Sequence, residues 1–247
     1  MRRRDGLLFA AGLAVLALAV GVSSLRLGRR EPSSPPAVEA GSRTRPSEVR
    51  TLFVPRVREA VVLDGELNEP MWTTKVARTE GFTDALGRPG KPYSDARFAW
   101  GDDKLFIALY AADDDIQADP LSRLQSIAPG DDRFHLELGR GADIYEIEIN
   151  PLGIYATTKR SADATAGVAW DVALVVGHDL DGTANDPSDD DEEWLLEFAI
   201  PLSAFGARSA SGEQFNLFVE RCDTPHRAKR SCNAWTTRAA PSRLVLE

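Results

Sequence analysis

The sequence predicts an all-β protein. It is an antiparallel, jelly-roll-like β-sandwich preceded by one N-terminal hydrophobic helix and a Pro-rich linker. Three observations carry this expectation. Short segments alternate apolar and polar residues with a period of two. Turns rich in Gly, Asp, Asn and Pro separate them at near-regular intervals. No long helical period lies between them. The divisions are residues 1–30 for the apolar segment, 31–50 for the linker and 51–247 for the sandwich.

The chain opens Met1-Arg2-Arg3-Arg4-Asp5 and continues as an uncharged run, Gly6 to Leu25, rich in Leu, Ala and Val. A basic start followed by an apolar stretch is an export signal. A cleaved signal peptide and an uncleaved anchor both fit. Ala17-Leu18-Ala19 or Gly21-Val22-Ser23 offers the small residues of a cleavage site. The run also just reaches the roughly 20 apolar residues that span a bilayer. Arg26, Arg29 and Arg30 follow at once, so the charge bias that would set orientation is nearly balanced. No Cys lies near the run, which excludes a bacterial lipid-attachment site. Either reading places the globular part outside the cytoplasm, anchored to the membrane or secreted, in a bacterial-type periplasm or on the cell surface. Pro32, Pro35, Pro36 and Pro46, among Ser, Glu, Gly and Arg, make the following stretch an extended linker.

From Thr51 the chain reads as strands. Asp143 to Asn150 sets Tyr145, Ile147 and Ile149 on one face and Glu146 and Glu148 on the other. Arg133 to Leu138 sets Phe134, Leu136 and Leu138 against Arg133, His135 and Glu137. Asp95–Trp100 and Leu105–Ala112 flank Gly101-Asp102-Asp103-Lys104, a hairpin turn. Asn150-Pro151-Leu152-Gly153 turns the chain into Ile154–Lys159. Ala169–Gly177, Trp194–Ile200, Phe215–Cys222 and Arg243–Leu246 complete the expected strands, with short helical turns at Glu69–Lys75 and Pro201–Phe205.

Charge narrows the function. Residues 1–50 hold nine Arg against four acidic side chains, a net +5; the remainder holds 20 basic against 34 acidic, a net −14. An acidic globular part lacks the positive footprint of a nucleic-acid binder, so no nucleic-acid partner is expected. No Gly-rich phosphate loop, G-x-S-x-G elbow or H-E-x-x-H motif occurs. His135, His178 and His226 lie on separate segments, with no base oriented by a third group. The chain therefore reads as non-catalytic. Cys222 and Cys232 are its two cysteines, and export would bring them to a compartment where they can close a short disulfide loop; two separate buried thiols are the alternative.

Asp179 to Glu193 is the densest carboxylate stretch. Asp179, Asp181, Asn185, Asp186, Asp189 and Asp191 are candidate ligands for a structural calcium, which takes 6–8 oxygen ligands, with Gly182 permitting a tight turn. The spacing is not that of an EF-hand. A solvated acidic loop closed by Asx turns is the alternative.

Six segments, in order, resemble the family-nine carbohydrate-binding modules. They are Leu63–Trp72 (L-D-G-E-L-N-E-P-M-W), Phe98–Asp113, Asp131–Glu137, Tyr145–Gly153, Gly182–Leu202, and Phe215–Phe218 leading to Trp235. The resemblance covers nearly all of Leu63 to Leu246. It implies a non-catalytic glycan-binding module, serving carbohydrate breakdown beside a separate glycoside hydrolase, and it is compatible with bound calcium. In the sugar-binding members two aromatic rings sandwich a terminal sugar. Trp235 matches the C-terminal ring. The segment that would supply the other, Ser126-Ile127-Ala128-Pro129-Gly130, has no aromatic residue, and His135 stands where the family has a hydroxyl-binding Glu. Trp235 and His135 are therefore the candidate carbohydrate contacts, with Tyr110, Tyr155 and Trp170 as possible substitutes for the missing wall. Loss of that wall also leaves open a sandwich serving protein interaction.

Overall fold

The computed structural model describes residues 49–247 apart from residue 75, residues 123–125 and residue 227. The apolar segment 1–30 and the linker up to residue 48 lie outside the described residues. Among the described residues no helix is long and apolar enough to cross a membrane.

Among the described residues, thirteen strands follow in chain order. They are β1 (Thr51–Val54), β2 (Ala77–Arg78), β3 (Ser94–Gly101), β4 (Lys104–Ala112), β5 (Arg133–Arg140), β6 (Asp143–Ile149) and β7 (Tyr155–Ser161). After these come β8 (Val168–Ala169), β9 (Val175–Asp181), β10 (Glu193–Pro201), β11 (Gln214–Asp223), β12 (Ser231–Ala234) and β13 (Ser242–Leu246). A one-turn helix, α1 (Pro70–Thr73), begins on the proline that suits a first helical turn. A 3-10 turn spans Leu202–Phe205 and ends on Gly206.

Two sheets face each other. The larger runs β1-β13-β11-β5-β6-β7-β8, and β12 shares with β13 one edge of β11. The smaller runs β2-β3-β4-β10-β9. The alternation read from the sequence sets which side chains meet. Phe134, Leu136, Leu138, Tyr145, Ile147, Ile149, Leu217 and Val219 of the larger sheet pack against Phe98, Trp100, Ile107, Leu109, Trp194, Leu196, Phe198 and Ile200 of the smaller. The smaller sheet is apolar on its outer face too. There Trp72 and Met71 of α1, with Val57, cover Ala99, Phe106, Ala108 and Ala199. Both faces of β3, β4 and β10 are thus covered, which is why β4 reads as a continuous apolar run from Leu105, while β3 and β10 carry Asp95, Arg97 and Glu197 among their apolar residues. The Gly101–Lys104 hairpin forms as expected, with Asp102 and Asp103 both at positive φ (46° and 61°), the pair of conformations a two-residue primed turn requires.

The structure corrects the sequence reading in three places. Ala169–Gly177 is not one strand. Val168–Ala169 ends the larger sheet, the chain then crosses to the smaller one, and Val175 begins β9. The crossing is pinned by Trp170, which turns into the core against Tyr145 and Phe205, its ring centroids 4.9 and 5.3 Å from theirs. The sandwich is not wholly antiparallel, because β1 pairs in parallel with β13. The acidic loop begins later than its charges suggest, since Asp179 and Asp181 belong to β9.

Candidate functional site

Cys222 and Cys232 lie directly opposite each other on β11 and β12, the disulfide closes between them, and their Cα atoms are 4.1 Å apart. This cross-link holds β12 at the edge of β11. The chain leaving β12 is held a second time, where Ala234 and Thr83 exchange backbone hydrogen bonds of 2.9 Å in both directions. Thr83 opens a turn that Asp84 fixes. The Asp84 carboxylate accepts from the backbone N–H groups of Leu86 and Arg88, each at 2.9 Å, and pairs with the Arg88 guanidinium. Between this turn and the segment from Cys232 to Ala240 lies a pocket of about 460 Å³.

Phe218 and Trp235 both line it, and neither shows much of its ring. Trp235 is 6% exposed and Phe218 4%. An arginine covers each. The Arg50 guanidinium lies 5.7 Å from the Trp235 ring centroid, and that of Arg238 lies 4.8 Å from Phe218. Glu220, on β11 beside Phe218 and Cys222, adds a carboxylate that forms no ion pair among the described residues.

His135 stands next to this pocket. Its ring packs edge-on to Phe218 at 6.3 Å, and Phe218 lines the pocket with Trp235, whereas His135 itself does not line it. His135 is not the exposed side chain its alternation suggested. Its Nδ1 lies 3.5 Å from Glu148 and its Nε2 3.5 Å from Glu137. Burial favours the neutral imidazole, but the two carboxylates outweigh it and hold the pKa above the ordinary histidine value. Glu137 also meets Arg238 at 2.8 Å and Arg160 at 3.2 Å, and Arg160 reaches on to Glu146. Burial opposes the Glu137 charge; His135 and the arginines prevail and lower its pKa.

The two-ring slot of the resembled family does not form among the described residues, as the absence of an aromatic residue in Ser126–Gly130 implies. Ser126–Gly130 does not border the pocket, and Arg230 caps the Pro129 carbonyl at 3.1 Å. The facing wall is instead the Thr83–Gly87 turn, which carried no sequence signal because its work is done by backbone and one Asp. The substitutes for the missing ring lie elsewhere. Trp170 is in the core, the Tyr155 hydroxyl accepts the Leu174 N–H at 3.1 Å, and Tyr110 packs on Tyr93.

The candidate calcium residues do not fit a shared ion. Asp191 spends one oxygen on the Ile116 N–H at 2.7 Å and the other on the Thr183 N–H at 2.8 Å. Asn185 holds both the N–H and the carbonyl of Ala118. Asp186 closes an Asx turn onto Ser188 at 3.0 Å. Asp179, Asp181 and Asp189 are exposed and join no close carboxylate group. Where carboxylates do gather among the described residues, something else already fills the gap. The Arg221 guanidinium sits among Asp113, Asp132 and Asp223. In the group of Asp64, Glu69 and Glu197, the indole N–H of Trp72 and the backbone N–H groups of Asp64 and Gly65 all donate to Glu197. The third group joins Glu220 to the two disulfide-bonded cysteines.

No known family model matches the chain, and no curated protein gives a significant match. Solved structures do match in fold. A Bacteroides uniformis protein to which carbohydrate binding is attributed superposes with a TM-score of 0.61 at 15% identity, over 81% of this chain and 100% of that one. A family-nine carbohydrate-binding module from Caldicellulosiruptor kristjanssonii in complex with glucose gives 0.53 at 14%, over 80% of this chain and 96% of that one. The same kind of module in complex with cellotriose gives 0.51 at 12%, over 80% and 94%. The sandwich therefore has the family-nine fold that the six sequence segments resemble.

Proposed function

We propose that residues 51–247 form a non-catalytic glycan-binding module, exported and held at or released from the membrane by the N-terminal apolar segment, and acting beside a separate glycoside hydrolase. The observation that carries this reading is the pocket floored by Phe218 and Trp235 beside the Glu220 carboxylate, which has no ion-pair partner among the described residues. The polar groups that rim the pocket, Glu220, Arg50 and Arg238 among them, take the hydroxyls of a sugar, with the two largely buried rings beneath them as an apolar floor. Two solved structures of this fold hold glucose and cellotriose, which supports the ligand class. The Cys222–Cys232 bond suits an oxidising, extracytoplasmic compartment.

The test is a glycan array with the purified chain and its Glu220→Gln and Arg238→Ala variants. The reading expects binding to a defined glycan class, weakened by about tenfold or more in Glu220→Gln, the loss of one charged hydrogen-bond partner. Absence of binding across the array sinks it. A second reading, a sandwich for protein interaction, is favoured by one observation, the low exposure of Trp235. A retained, salt-sensitive protein partner in place of any glycan would establish that reading instead.

A further inference from the structure

The pocket does not end at Glu220. Its wall continues as the outer face of the larger sheet, where side chains line up across adjacent strands. One row runs Glu220, His135, Glu148. The next runs Phe218, Glu137, Glu146, Thr158. From β11 to β7 this face crosses three inter-strand steps of about 4.8 Å each, a length that accommodates more than one sugar ring.

Its charge is balanced, unlike the rest of the module. Apart from the His135 imidazole, Arg133, Arg160, Arg238 and Arg230, whose guanidinium acts on Glu148 and Glu220, contribute four positive charges. Glu137, Glu146, Glu148 and Glu220 contribute four negative ones. The net is zero on a globular part that carries −14 overall. These groups also fix one another. Arg133 meets Glu148 at 3.5 Å, and the Thr158 hydroxyl donates to Glu146 at 2.9 Å. A polyanionic chain would gain no net attraction here. A neutral, hydroxyl-rich one meets donors and acceptors already held in place, so little further ordering is required.

Resting on the glycan reading above, we propose that the ligand is a neutral polysaccharide chain, gripped at the pocket and laid across β11, β5, β6 and β7, rather than a single terminal sugar enclosed between two rings. The Thr83–Gly87 turn bounds one side of the pocket, and the opposite side opens onto this polar face.

The experiment is calorimetric titration of the purified chain with cello-, xylo- and manno-oligosaccharides of one to six residues. The expected result is an affinity that rises by about tenfold or more between the monosaccharide and the hexasaccharide of one series. Glu146→Ala and Thr158→Ala should shrink that ratio by about threefold or more, the loss of one hydrogen bond each, while the melting temperature confirms a folded variant. Equal affinity for one and six residues overturns the extended face but leaves the pocket reading standing. A preference for uronic-acid oligomers, run in parallel, also overturns it. No binding to any sugar overturns both.

Discussion

Arg221 and Asp113 meet at 2.6 Å with both side chains fully enclosed between the sheets. Asp223 lies 3.1 Å from the same guanidinium nitrogen, Asp132 shares the cluster, and the Trp194 indole N–H donates to Asp113 at 2.9 Å. One cation thus serves two buried carboxylates, Asp113 and Asp223, with Asp132 beside them. Removing it leaves those carboxylates uncompensated in a low-dielectric setting. Arg221→Leu is therefore expected to cost about 3–5 kcal/mol of folding stability. Urea denaturation followed by tryptophan fluorescence checks this; a loss below about 1 kcal/mol, the range of exposed pairs, would show that the cluster is solvated.

The same cluster makes stability depend on pH. Burial, reinforced by the Asp113 charge, raises the Asp132 pKa to about 8. Burial raises Asp223 to about 6 against the pull of Arg221, and raises Glu197 to about 7. The folded protein then keeps protons that the unfolded chain has released above about pH 4. Stability falls as pH rises between that point and these values. His135 acts in the same direction, because its raised pKa gives stability that is lost as pH climbs past it. Glu148 and Glu213, with lowered values, lose their contribution only toward acid. The melting temperature should accordingly peak at mildly acidic pH and decline into the alkaline range, and Asp132→Asn should flatten the decline. Calorimetry across that range tests it; a native melting temperature that rises with pH contradicts the assignment.

Gly65 is fixed by what lies against it. Its φ is +96°, its N–H donates to Glu197 at 2.9 Å, and a Cβ placed on it would stand 2.4 Å from the carbonyl carbon of His178. Gly177 on β9 meets the Leu63 backbone just as closely. The Leu63–Gly65 turn therefore lies directly on β9, with no room for a side chain between them. Gly65→Ala should cost about 3 kcal/mol, from strain at a left-handed position and displacement of the turn, read as a lower denaturation midpoint with an unchanged slope.

The disulfide separates cysteines ten residues apart. Cys222→Ser with Cys232→Ser should lower stability by roughly 2–3 kcal/mol, the loop entropy restored to the unfolded chain. Cys232 also lines the pocket, so the double variant should weaken whatever binds there more than a variant on the far sheet does. Unchanged binding with lowered stability would confine the bond to a structural role.

Much of the fold is legible in the sequence because it rests on local rules. The alternation of Phe134, Leu136 and Leu138, or of Tyr145, Ile147 and Ile149, fixes which face is core; Asp102-Asp103 fixes a hairpin. What is not legible depends on contacts distant in sequence. Arg221 alternates into the core position of β11, and nothing near it in sequence shows that Asp113 waits opposite. The Asp179–Glu193 run reads as a cation loop by composition, whereas Asp191 and Asn185 are bound to Thr183, Ile116 and Ala118. The Thr83–Gly87 wall is invisible because it is made by backbone pairing to Ala234, more than a hundred residues away.

Trp235 is where the sequence resemblance and the structure part. The resemblance marks it as a stacking wall, but its ring belongs to the core cluster and only borders the pocket. Its indole N–H has no hydrogen-bond partner among the described residues, so the nitrogen contributes nothing visible to folding. Two substitutions separate the roles. Trp235→Ala should cost about 3–5 kcal/mol, as for other buried aromatic truncations. Trp235→Phe keeps most of the apolar volume and removes an unpaired donor, so it should stay within about 1.5 kcal/mol of the native protein. If the ring is floor rather than wall, Trp235→Phe also keeps its glycan affinity within about threefold, less than one hydrogen bond's worth. A well-folded Trp235→Phe that has lost binding altogether would instead return the indole to the role of direct sugar contact, and would require the Arg50 side chain above it to move aside when the ligand enters.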